Sequence, residues 1–94
     1  MPTKNPLPDG KDTELNAVVT ELGGIAVQES RQMVDQRVNK EGQTVDVVEN
    51  LSTILMQDGT TLTLNLDDTN HTEVLRQVFA KIESDIAQGK RKRV

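Results

Sequence analysis

The chain has 94 residues, a formal net charge of −4 and 34% hydrophobic residues, with no Cys, Trp or Tyr, one His and one Phe. That inventory excludes a disulfide framework, a thiolate metal site, a cysteine nucleophile and a two-histidine metal centre within one chain. Leu, Ile, Val and Phe still make up 25 of the 94 residues, above the roughly 20% below which disorder is expected, so one small core can form.

Residues 1–11, MPTKNPLPDGK, hold all three prolines and Asp9-Gly10. Proline neither continues a helix nor serves a central strand, so this segment reads as an extended arm, mobile or laid over a partner. Asp12 or Thr13 stands where a helix cap is wanted, and Leu15, Val18, Val19 and Leu22 recur at helical spacing. Gly23-Gly24 interrupts the stripe, which Ile25, Ala26, Met33, Val34 and Val38 resume thinly. Two arrangements fit: one long helix over 13–39 weakened at the glycines, or two helices with a bend there. Glycines without Pro or Asn beside them are a weak stop, which favours the long helix. Its stripe is too thin to be buried within one chain. Self-association through Leu15, Val18, Leu22 and Ile25 is therefore predicted.

Gly42 marks the next break. Thr44 to Met56 is ambiguous, because Val45, Val48, Leu51 and Leu55 fit a helix while Val45-Asp46-Val47 alternates like a strand. Asp58-Gly59 is the strongest hairpin signal in the chain, and after it Leu62, Leu64 and Leu66 alternate with Thr61, Thr63 and Asn65. A two-residue turn there sets Gln57 opposite Thr60, Leu55 opposite Leu62, Thr53 opposite Leu64 and Leu51 opposite Leu66. The predicted hairpin is 51–57/60–66, with its leucines on one face and Ser52, Ile54 and Met56 on a mixed, wetter one. Residues 44–49 either extend it or form a turn of helix.

Asn70 and Glu73 have the spacing of a capping box, and Leu75, Val78, Phe79, Ile82 and Ile86 then form the best helical stripe in the chain, closed by Gly89. The expected core joins this helix to the hairpin through Leu55, Leu62, Leu64, Leu66, Leu75, Val78, Phe79 and Ile82. The fold class is α+β, a small single domain: an arm at 1–11, an α-β-β-α domain at 12–89 with its first helix breakable at Gly23-Gly24, and a basic tail at 90–94.

The chemistry on offer is thin. Asp67, Asp68, Asn70, His71 and Glu73 are metal-capable, but they lack the glycine and the spacing of a calcium loop. Acidic residues and Asn before a helix cap it and complement its dipole, so the cluster reads as a helix start and not as a metal site. No nucleophile motif, phosphate loop or membrane-length apolar run occurs, so no enzyme, cofactor or metal site is expected. Lys90, Arg91, Lys92 and Arg93 hold four of the eleven basic residues, while seven basic and fifteen acidic residues precede them. This tail is the candidate contact for an anion or a partner. The acidic, aromatic-poor body is unsuited to nucleic acid.

The function expected is a non-enzymatic assembly or interaction protein, self-associating or a small subunit of a larger particle. A virion or phage accessory protein is the setting expected first; the expected location is cytoplasmic, the host cytoplasm or the virion if the protein is viral. The alternative is a small regulator of a nucleic-acid process, acting through the basic tail or through an acidic body that mimics nucleic acid.

Overall fold

The computed structural model describes residues 2–94 and orders them as β1 (Thr3–Asn5), α1 (Thr13–Leu22), β2 (Ala26–Val38), β3 (Thr44–Leu55), β4 (Thr61–Asn65) and α2 (His71–Ala87). The strands form one antiparallel sheet in the order β1-β2-β3-β4. The protein is a small α+β domain with a helix toward each end of the chain.

The first helix stops at the glycines and does not resume. Gly23 sits at φ 72° and ψ 160°, a region that residues with a side chain reach only under strain. Gly24 is also at positive φ. Beyond them the chain forms a 13-residue strand, not the second half of a helix over 13–39. Its pairing with β3 carries it, running from Ala26↔Leu55 to Val38↔Thr44 with one bulge between Val27 and Glu29. Residues 44–49 extend the sheet. The Pro-rich arm is tied to the same chain, since β1 pairs Thr3 with Val34 and Asn5 with Gln32.

Both hairpins turn through the same three-residue loop. At the β2–β3 end, Asn39 N–H donates to Gln43 O at 2.9 Å and Gly42 N–H to Asn39 O at 3.1 Å. At the β3–β4 end, Met56 N–H donates to Thr60 O at 2.8 Å and Gly59 N–H to Met56 O at 3.0 Å. Gly42 (φ 79°) and Gly59 (φ 88°) take the left-handed position that ends such loops. The second loop therefore holds one residue more than a two-residue Asp-Gly turn. The register becomes Leu55↔Thr61, Ile54↔Leu62, Thr53↔Thr63, Ser52↔Leu64 and Leu51↔Asn65.

A one-residue slip sends every side chain of a strand to the other face. Ser52, Ile54 and Met56 thus join Leu62, Leu64 and Leu66 on the covered face, and Leu51 and Leu55 turn to the open one. The expected core residue Leu55 is an exposed apolar side chain. The core is Leu15 and Val18 of α1, Ile54, Met56, Leu64 and Leu66 of the hairpin, and Leu75 and Ile82 of α2; Leu62, Val78 and Phe79 are half-buried against it.

The helix ends also depart from the sequence reading. Asp12 and Asn70 sit at φ near −100° and ψ near 10–15°, and neither side chain caps its helix. A capping side chain needs the extended backbone that these residues lack. Glu73 instead accepts from Gln77. At the other end of α2, Lys90 N–H donates to Asp85 O and Gly89 N–H to Ile86 O, with Gly89 at φ 75°. This pair of bonds around a left-handed glycine is the stop that the sequence places at Gly89.

Gly59 carries a further constraint, since a Cβ built there lies 2.9 Å from Val94 Cγ2. Gly59→Val is expected to destabilise the domain by about 1–3 kcal/mol through backbone strain alone. The steric conflict with Val94 adds to that loss. A urea midpoint unchanged from the parent would contradict this loop geometry.

Candidate functional site

The helices cover only one face of the sheet and only one end of it. The molecule is 53 Å long and 26 × 21 Å in section, because the β2–β3 hairpin runs on past the helices. On the covered face the apolar core gives way to a polar ladder: Ser30 Oγ to Ser52 Oγ at 2.8 Å, then Gln32 Nε2 to Asn50 Oδ1 at 3.0 Å. Asn50 Nδ2 passes the chain on to Asp67 at 3.2 Å, and Lys11 Nζ holds the same carboxylate at 2.5 Å. Lys11, with Asn50 behind it, keeps Asp67 below the usual carboxylate range. Past this ladder both faces are bare, with Val38 71% and Val48 46% exposed on one side and Val45 40% on the other.

The open face belongs to alternate residues of β2 and β3. Paired rows place Arg31 beside Leu51, Met33 beside Glu49, Asp35 beside Val47 and Arg37 beside Val45. Lys4 of β1 flanks Met33 on the other side. Lys4 Nζ contacts Glu29 Oε1 at 2.5 Å, which lowers the Glu29 pKa, and Arg31 Nη1 donates to Thr53 Oγ1 at 2.6 Å. A shallow groove of about 500 Å³ lies over Glu29, Arg31, Met33, Leu51 and Thr53.

The helical residues predicted to mediate self-association are spent inside the chain. Leu15 and Val18 are core, and Leu22 and Ile25 are half-buried against it. Two of the four basic tail residues are likewise engaged internally. Arg91 donates through Nε to Asp85 Oδ2 at 2.8 Å and through Nη1 to Asp58 Oδ2 at 2.7 Å, and Arg93 Nη2 reaches Glu83 at 2.8 Å. Val94 N–H donates to Gln57 O at 2.9 Å. Lys90 and Lys92 are exposed and form no ion pair among the described residues.

His71 is buried, its Nδ1 lies 2.7 Å from Asp68 O, and Nε2 has no partner among the described residues. Among the described residues no group of three His, Cys, Asp or Glu converges on a metal-sized site, and no helix is long and apolar enough to cross a membrane. No family model, curated protein or solved structure matches the chain.

The sequence reading misses the open face, because it assigns those residues to a helix. The available signal is the period of two in Glu29, Arg31, Met33, Asp35 and Arg37. It is obscured by charge where a half-buried strand shows apolar residues.

Proposed function

We propose that this protein is a non-enzymatic assembly module that associates with copies of itself. The observation that carries the reading is the projecting β2–β3 ribbon, whose exposed Val38, Val45 and Val48 have no helix over them. A two-stranded ribbon in water is marginally stable alone, and a neighbour that covers it supplies the missing burial. Its outer edges, from Asp35 on β2 and up to Glu49 on β3, lack a strand partner among the described residues, which is a further invitation to association.

The alternative, a regulator of a nucleic-acid process, draws no support from a tail whose arginines are paired with Asp58, Asp85 and Glu83. Light scattering on the full chain over a dilution series is expected to show a dimer or larger species at tens of micromolar, dissociating on dilution. A monomer at every concentration up to about 1 mM, a level at which only weak contacts with Kd near 1 mM would persist, overturns the reading.

A further inference from the structure

We infer that the second copy docks face to face on the open side of the sheet, antiparallel to the first, about a two-fold axis passing Met33. This inference rests on the self-association proposed above and specifies one contact of it, on the face that carries Val45 and Val47; Val38 and Val48, on the opposite face, lie outside this contact. The open-face residues of β2 read Glu29, Arg31, Met33, Asp35, Arg37. Reversed about Met33, every acid meets a base: Glu29 faces the second copy's Arg37, and Arg31 its Asp35. An isologous contact requires a surface complementary to itself in this way.

The neighbouring strand fits the same axis. Glu49 lies beside Met33 in β3, so Leu51 faces the second copy's Val47 and Val47 its Leu51, giving one apolar contact on each side of the axis. The groove over Arg31 and Leu51 then receives the partner's Asp35 and Val47.

Pairing β2 edge to edge about Met33 would use the same palindrome, but that edge is taken. β1 hydrogen-bonds to β2 over Gln32–Val34, across the centre of symmetry. Only the face remains available. Two sheets pack about 10 Å apart in such a contact. The stripe from Glu29 to Arg37 is about 27 Å long and a few strands wide. That is smaller than the standard interface of about 800 Å² per partner, so association in the micromolar range is expected.

Glu49 and Lys4, in the row of the axis, meet their own copies; Lys4 is held by Glu29 of its own chain, and the Glu49 pair is a like-charge meeting at the rim.

The test uses the full chain in sedimentation velocity. Arg37→Glu sets like charges against each other at two symmetry-related places and is expected to weaken the dimer about tenfold, as Glu29→Arg does. The double variant Glu29→Arg with Arg37→Glu restores opposite signs and is expected to return to within about threefold of the parent. Glu49→Gln removes a like-charge meeting and tightens association. All these positions are surface-exposed, and the melting temperature of each variant verifies that it is folded.

Because the chain has no cysteine, Lys40→Cys gives a single spin-label site at the ribbon tip. The antiparallel dimer places the two labels about 50 Å apart at opposite ends, from seven residues of strand rise on each side of the axis. If the parent dimerises but the double variant is no better than the singles, or the label distance is under about 25 Å, this geometry is overturned while self-association stands. If the parent stays monomeric, both fall.

Discussion

Ile54→Ala is expected to cost about 2–5 kcal/mol, while Leu55→Ala, one residue on, costs about 0.5 kcal/mol or less. Ile54 is 0% exposed and Leu55 37% exposed. The difference between two adjacent β3 residues of the same size arises from one extra residue in the loop at Asp58-Gly59. Ile54 belongs with Leu15, Leu64 and Leu75 to a core of eight buried apolar side chains among the described residues, so a truncation there leaves a cavity in a close-packed interior. The loss is a large part of a domain stability of about 5–15 kcal/mol. Phe79, half-buried against that core, ranks between the two. Paired urea titrations give the ranking directly. A larger loss at Leu55 than at Ile54 would mean that the two-residue turn governs the register after all.

The parts of the fold that are legible in the sequence are those whose side chains see one environment along their length. α2 keeps Leu75 and Ile82 on a single buried stripe and closes at a left-handed Gly89. β4 has Leu64 inside and Thr63 outside. The first half of α1 has the same property, with Leu15 and Val18 inward.

β2 is illegible because its surroundings change along its length. It starts near the helices, passes the Ser30–Ser52 and Gln32–Asn50 ladder, and ends in a bare ribbon, while a bulge at Val27/Glu29 resets its phase. No fixed hydrophobic period survives those transitions, and sparse apolar residues match a helix as well as a strand. The candidate surface is hidden for the same reason. Its symmetry lies in charge and not in hydropathy, and it becomes a surface only when the residues are known to alternate.

The register error has a narrower cause. An Asp-Gly pair serves both the two-residue turn and the three-residue loop, and the two differ in whether Gln57 belongs to strand or loop. The leucines of 51, 55, 62, 64 and 66 converge under the first choice, but Ile54 and Met56 are lost to solvent.

Arg91→Ala is expected to lower the melting temperature clearly at neutral pH and hardly at all near pH 2, as is removal of residues 90–94. On sequence alone, a tail beyond the helix stop is dispensable to the fold. In the structure, the Arg91 guanidinium joins the end of α2 to the β3–β4 loop through Asp85 and Asp58, whose side chains are largely covered. Removing it leaves two shielded carboxylates without their shared cation. Lysine at the same position has one point charge in place of a planar fork and cannot hold both acids in this geometry, so Arg91→Lys should fall between.

The pH dependence comes from the carboxylates. Thr60, donating from its hydroxyl at 2.6 Å and its N–H, and then Arg91 hold Asp58 down to about 2. Asp85 is lowered first by Arg91 and then by Lys81, and Glu83 first by Arg93 and then by Gln57. Groups whose pKa is depressed on folding stabilise the protein above their unfolded values, near 4, and lose that contribution as pH falls through the folded ones. Parent stability should therefore decline between about pH 5 and pH 2, and the Arg91→Ala curve should converge on it from below. The order of causes makes a finer distinction. Asp58 keeps Thr60 in the variant, whereas Asp85 loses its main partner. Carboxyl titrations followed by NMR should accordingly show Asp85 rising more than Asp58 in Arg91→Ala. An equal deficit at every pH, or a larger rise at Asp58, would show that Arg91 supports the fold by packing and not by its charge.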